Sequence, residues 1–180
     1  MSIPLQRQHE RGFTLIELMV SMVMGLVLLA GISMMFVSNS RVAGAQSNRS
    51  ERLNDLYLAS QIMQTELRGS SGICWDGGNS QLIYRPLDSS VPLGGCNTVD
   101  SQNGSFRFSG GSICWDKPND SNGCQELIRN LVSGPPGLQV SPSGNTNLSA
   151  VRKVVMTGLY TGYDQQKKTL NLAFDVWPRN

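Results

Sequence analysis

An uninterrupted apolar segment near the start is the strongest pattern along the chain. The twenty residues from Leu18 to Val37 carry no charge, and Ser21 and Ser33 are their only clearly polar members. A helix that crosses a bilayer needs about 20 mainly apolar residues, and a helix satisfies its own backbone polar groups in lipid. The segment therefore predicts one transmembrane helix, and Arg7 and Arg11 before it predict a cytoplasmic N-terminus.

The helical pattern continues beyond the apolar segment in amphipathic form. Apolar side chains recur at helical spacing, and charged residues occupy the other faces. The apolar positions are Leu53, Leu56, Tyr57, Met63 and Leu67. Two glycines in the sequence Gly69-Ser-Ser-Gly72 then form a stop signal. We expect a single helix with an apolar half, residues 13–37, and an amphipathic half, residues 38–70.

The composition changes after Gly72, where Gly, Ser, Asn and Pro separate short apolar runs. Runs at residues 82–85, 105–108, 151–160 and 169–177 are predicted strands, and the last two form an antiparallel hairpin. Residues 126–132 fit either a helix or a strand, and residues 133–147, with three prolines, are predicted as a loop. The region 71–180 is therefore predicted to be a small β-rich head.

Glu17 stands at the beginning of the apolar segment, where an ionisable group is costly and is by default a functional hypothesis. If the chain is cut between Gly12 and Phe13, the new amine of Phe13 lies one helical turn from Glu17. In a filament, the amine of one subunit could then pair with Glu17 of its neighbour. The simpler alternative is that Glu17 only complements the dipole at the helix N-terminus.

The run from Gly12 to Val20, GFTLIELMV, resembles the processing and anchor motif of type IV prepilins. The resemblance covers about residues 7–37 and implies three residue roles. A prepilin peptidase would remove the leader, residues 1–12, by cutting after Gly12; the amine of Phe13 would be N-methylated; and Glu17 would act in assembly. The implied fold is α+β and type IV pilin-like, with a long N-terminal helix packed on a small antiparallel β-sheet head.

The resemblance is closer to a minor subunit than to a major one. Major pilins often carry a proline about twenty residues into the mature chain, where this chain has Ser33-Met34-Met35. The run from Glu17 to Gly31 further resembles minor pilins of the PilW type. Such a protein would be a single-pass inner-membrane protein before assembly, and part of a periplasmic or cell-surface pilus afterwards. The implied partners are prepilin peptidase, the inner-membrane assembly platform, and other minor and major pilins bound through the N-terminal helix.

Histidine usage restricts the chemistry. The only histidine is His9, which lies in the leader, so the mature chain would contain none. This excludes Ser-His-Asp and Cys-His catalysis and any histidine metal site. No other catalytic constellation is marked, so we expect no enzyme, no cofactor and no metal.

The four cysteines belong to an internal repeat. The run SGICWDG at residues 71–77 recurs as GSICWDK at residues 111–117, and a cysteine preceded by glycine follows each copy. Export permits disulfides, and the repeat favours two local bridges, Cys74–Cys96 and Cys114–Cys124. A crossed pairing, in which Cys74 bridges to Cys114, is the alternative. Trp75 and Trp115 beside them are predicted to be core residues rather than ligand-stacking ones.

Three functions are compatible with these features. The first is a minor pilin that primes filament assembly and stays at the pilus tip. The second is a pseudopilin of a type II secretion system, whose N-terminal motif is the same. The third is a tip adhesin or DNA-uptake pilin, in which basic residues around the C-terminal hairpin contact phosphates. Those basic residues are Arg152, Lys153, Lys167, Lys168 and Arg179.

Overall fold

The computed structural model describes residues 13–89, 93–94, 96, 101–133, 137–142 and 151–179. The chain divides into two compact units, Met1–Ala43 and Gly44–Asn180. One long N-terminal helix and antiparallel β-sheets make up the described residues, so the predicted α+β, pilin-like fold class is confirmed. The predicted leader, with Gly12, lies outside the described residues.

Helix α1 runs from Leu15 to Arg68, a length of 54 residues. It ends where the glycine-serine run begins: the amide of Gly69 donates to the carbonyl of Thr65 (3.1 Å), and the hydroxyl of Ser70 donates to that of Leu67 (2.6 Å). These two bonds satisfy carbonyls that the last turn of a helix otherwise leaves unpaired.

The first sheet of the second unit has five antiparallel strands in sequence order. They are β1 (Ser70–Asp76), β2 (Gln81–Pro86), β3 (Gly104–Ser109), β4 (Ser112–Asp116) and β5 (Gln125–Ile128). The two copies of the internal repeat form β1 and β4. The sequence left the region 126–132 open between helix and strand. In the structure, its first three residues belong to strand β5.

The second sheet has three antiparallel strands, β6 (Leu138–Ser141), β7 (Arg152–Thr161) and β8 (Lys167–Val176). Strands β7 and β8 pair from Arg152↔Val176 to Thr161↔Lys167, which confirms the predicted hairpin. The prediction of a loop throughout residues 133–147 was wrong, because β6 lies within it. Its two inward residues, Leu138 and Val140, are too few to give a strand pattern, and only pairing with β7 reveals them.

One stripe of α1 forms the centre of the main core. Its buried positions recur every three or four residues, the spacing of one helix face. They are Leu56, Ala59, Met63 and Leu67, each at most 1% exposed. Apolar residues from both sheets complete this core, including Ile73, Phe106 and Met156. The helix approaches β7 at Gly158, where an added Cβ would lie 3.0 Å from Cδ1 of Leu56.

Strand β2 is buried on both of its faces. Leu82 and Tyr84 point to the main core, whereas Ile83 belongs to a second cluster with Cys74, Leu93 and Cys96. Because successive residues of a strand point to opposite faces, the face of the five-stranded sheet that lies away from α1 is itself partly covered. This second, outer face is important for the binding cleft described below.

Replacement of Leu56 by alanine is expected to destabilise the head by about 2–5 kcal/mol, because it leaves a cavity in the main core. Leu58 is two residues away on the same helix and is 58% exposed, so Leu58→Ala should change stability by less than about 0.5 kcal/mol. Denaturant unfolding of the full chain in detergent micelles, followed by tryptophan fluorescence, measures both. Equal losses from the two variants would contradict this assignment of the core.

Candidate functional site

The start of α1 is a capping box. The carboxylate oxygen Oε2 of Glu17 accepts hydrogen bonds from the backbone amide and the hydroxyl of Thr14, both at 3.2 Å. In return, the amide of Glu17 donates to Oγ1 of Thr14 at 3.4 Å. Thr14 is thus the N-cap, and Glu17 is the third residue of the helix, the Thr-x-x-Glu spacing that this motif requires.

The capping box holds the Glu17 carboxylate at the N-terminal end of the helix, next to Phe13. Glu17 is exposed, and Phe13 is 82% exposed. Of the two carboxylate oxygens of Glu17, only Oε2 accepts hydrogen bonds from the described part of the chain. The other carboxylate oxygen, Oε1, can therefore accept a proton donor from outside the subunit while the cap stays intact. Gly12, the predicted cleavage position, lies outside the described residues.

The apolar half of α1 presents an exposed apolar surface. No described residue of the N-terminal unit is buried, and its large apolar side chains are exposed by about half or more. Leu28 and Phe36, for example, are 67% and 74% exposed. A large, continuous exposed apolar surface of this kind marks an interaction surface in natural proteins. By length and composition, α1 is also long and apolar enough to cross a membrane.

Comparison with known proteins supports the same interpretation of this segment. Residues 7–33 match the family model of the prokaryotic N-terminal methylation motif. The chain is also 34% identical over 89 residues to the pilin-like protein PilA3 of Thermus thermophilus. Over the matched residues, the chain therefore resembles type IV pilin-like proteins. The match to PilA3 covers 49% of this chain and 37% of that relative, and no solved structure matches significantly.

The head contains two disulfides, Cys74–Cys96 and Cys114–Cys124. They close local loops with sequence separations of 22 and 10 residues, as the repeat favoured. The crossed alternative fails on distance: β1 and β4 are three strand spacings apart, about 14 Å, whereas a disulfide needs Cα atoms within about 7 Å. Each bridge contributes about 3 kcal/mol by restricting the unfolded chain.

The tryptophan of the second repeat belongs to an aromatic stack that faces α1. Tyr84 stacks on Phe106 with ring centroids 5.5 Å apart, and Phe106 stacks on Trp115 at 5.9 Å. The indole N–H of Trp115 donates to the hydroxyl of Tyr84 (2.9 Å), which donates to Glu66 of the helix (3.0 Å). Gly104 is required here, because an added Cβ would lie 2.2 Å from the Tyr84 ring.

The basic residues predicted to form one phosphate-binding edge do not form a common exposed surface. Arg152 is 2% exposed, and its guanidinium donates to the carbonyl of Pro142. Lys168 forms an ion pair with Asp164 at 3.2 Å and lies over the ring of Tyr163 at 5.0 Å. Both cations are therefore committed to contacts within the head.

Stability should fall as pH rises above about 10, the ordinary pKa of tyrosine. Burial, together with the nearby Glu66 carboxylate, raises the pKa of Tyr84 well above that value. The folded state therefore holds the phenol proton more tightly than the unfolded state, so the stabilisation is complete below pH 10 and is lost as pH rises through the folded pKa.

The variants Tyr84→Phe and Tyr163→Phe test this dependence. The first should flatten the alkaline decline in melting temperature, although it also removes two hydrogen bonds. The second changes a 64% exposed tyrosine and should leave the decline intact. Parallel alkaline profiles of the wild type and Tyr84→Phe would contradict the prediction.

Proposed function

We propose that this pilin-like protein is a minor pilin, a subunit that primes assembly of a type IV pilus and stays at the pilus tip. The observation that supports this most directly is the position of Glu17. It is the one acidic residue of the exposed apolar segment, it is held at the helix start four residues after Phe13, and its Oε1 accepts no hydrogen bond from the described residues.

The proposed mechanism is assembly, without a catalytic step. A prepilin peptidase removes residues 1–12 and methylates the amine of Phe13. The subunit then waits as a single-pass inner-membrane protein with the head in the periplasm. During assembly the apolar half of α1 exchanges lipid for the equivalent helices of other minor and major pilins, on the inner-membrane platform.

Electrostatics explain why such an exchange needs the Phe13–Glu17 pair. A lone carboxylate moved into an apolar helix bundle carries a penalty of several kcal/mol, which a partner of opposite charge offsets. The amine of Phe13 on one subunit is such a partner for Glu17 of the next. A subunit that joins in the wrong axial position leaves both charges unpaired, so the pair also selects the position of one subunit against its neighbour.

Deletion of the gene should abolish surface filaments and leave type II secretion unchanged. Filaments counted by electron microscopy and secreted enzyme activity, measured on the same cultures, test this together. Normal filaments with failed secretion would instead identify a secretion pseudopilin, and normal results in both assays would reject an essential assembly role.

Glu17→Ala should be cleaved normally and stay in the membrane, but should be absent from sheared filaments. Two variants serve as controls. Thr14→Ala removes the capping hydroxyl at a cost of about 1 kcal/mol but keeps the carboxylate, so it should still be incorporated. Glu51→Ala removes an exposed acid elsewhere on α1 and should have no effect.

Immunoblots of membrane and filament fractions report both cleavage and incorporation. If Thr14→Ala is excluded from filaments as completely as Glu17→Ala, then capping, and not pairing between subunits, is the function of Glu17. Normal incorporation of Glu17→Ala would refute the pairing outright.

A further inference from the structure

A polar cleft lies on the face of the five-stranded sheet away from α1. Its volume is about 260 Å³, and most of its lining can form hydrogen bonds. The polar side chains are Gln81, Ser101, Asn103, Ser105, Asp116 and Asp120. The register places Ile83, Ser105 and Asp116 side by side on β2, β3 and β4, so the floor of the cleft is a regular part of the sheet.

Gln81 indicates that this cleft is built for a ligand. The residue is only 6% exposed, and its amide nitrogen Nε2 has no hydrogen-bond partner in the part of the chain that the structure describes. A buried donor without an acceptor destabilises a fold, and such groups are rare in natural proteins. An acceptor atom of a ligand in the cleft would satisfy it.

The opposite side of the cleft presents carboxylates. Asp120 is oriented by the amide of Asn122 (2.9 Å) and by the side-chain amide of Gln125 (3.1 Å). Each carboxylate oxygen can accept more than one hydrogen bond, so Asp120 keeps capacity for a ligand donor. The side chain of Asp116 forms no hydrogen bond within the described residues and lines the cleft, so its carboxylate can accept hydrogen bonds from a ligand.

Disulfides hold the cleft between them. Cys74 lies in the same cross-strand row as Ile83, and its bridge to Cys96 covers this side of the sheet. The bridge from Cys114 to Cys124 closes the segment that carries Asp116 and Asp120. The cleft is therefore largely preformed, so binding of a ligand would cost little conformational entropy in the protein.

We propose that this cleft binds a single neutral sugar ring. A sugar hydroxyl both donates and accepts, which matches a lining with an amide donor on one side and carboxylate acceptors on the other. The volume lies just under the range of about 300–1,000 Å³ usual for ligand pockets, which fits one ring and no more. The one cation of the lining, Lys117, lies over the ring of Trp115 at 4.6 Å, so its charge is partly used.

This site does not depend on the assembly role proposed above, and it can be tested on the purified protein. The probes are the methyl glycosides of glucose, galactose and mannose, together with N-acetylglucosamine. Each is titrated against the full chain in micelles of a zwitterionic detergent without a sugar headgroup. Binding is followed by ligand-observed NMR, and melting temperature by tryptophan fluorescence.

Gln81→Met keeps the length of the side chain and removes the buried donor. It should weaken binding of the preferred sugar at least ten-fold and should raise the melting temperature, because the unsatisfied amide is gone. Gln139→Met makes the same change at an exposed position of β6 and should alter neither quantity. Asp116→Ala should weaken binding from the other side of the cleft.

The proposal would be overturned if none of the four sugars bound at tens of millimolar, or if Gln81→Met bound as well as the wild type. A fall in melting temperature specific to Gln81→Met would also overturn it, because Gln81 would then have a structural role within the head.

Discussion

The apolar surface of residues 15–37 is the constraint on which the behaviour of this protein depends. Within the described residues of the N-terminal unit, nothing covers these side chains, so their burial must come from lipid or from other helices. At about 25 cal/mol per Å² of apolar area, either environment is strongly preferred to water. Since lipid and a helix bundle both satisfy this surface, the choice between them depends on the polar groups at its edge.

In the assembly role proposed above, Glu17 is the decisive group at that edge, and its two carboxylate oxygens would serve two needs. One carboxylate oxygen caps the helix through Thr14, which keeps the first turn ordered. The other oxygen accepts no hydrogen bond from the described residues, so a donor on another subunit could reach it. A residue that only complemented the helix dipole could be replaced by any first-turn acid. The cap orders the first turn that carries this carboxylate, whereas the proposed pairing depends on the charge of the carboxylate and on its place four residues after Phe13.

The head is a small domain with limited apolar content, so its stability depends on how its few apolar residues are combined into one core. One stripe of α1 brings both sheets to a common core, and the stack of Tyr84, Phe106 and Trp115 extends it. The disulfides lie on the opposite face, where the bridge from Cys74 to Cys96 is part of a second cluster with Ile83. Because this outer face is stabilised covalently, it can leave room for a polar cleft that a larger apolar core would fill.

The sequence by itself determined the membrane-length helix, its end near Arg68, the α+β class and the β7–β8 hairpin, since each follows from local periodicity and stop signals. It favoured the local disulfides through the repeat alone. Only the tertiary structure decided that the head has two sheets, that β6 exists and that Arg152 is buried. The tertiary structure alone also brought Gln81 and Asp116 into the lining of one cleft. These features depend on pairing between segments far apart in the chain, and short-range patterns carry no information about which distant strand a residue will meet.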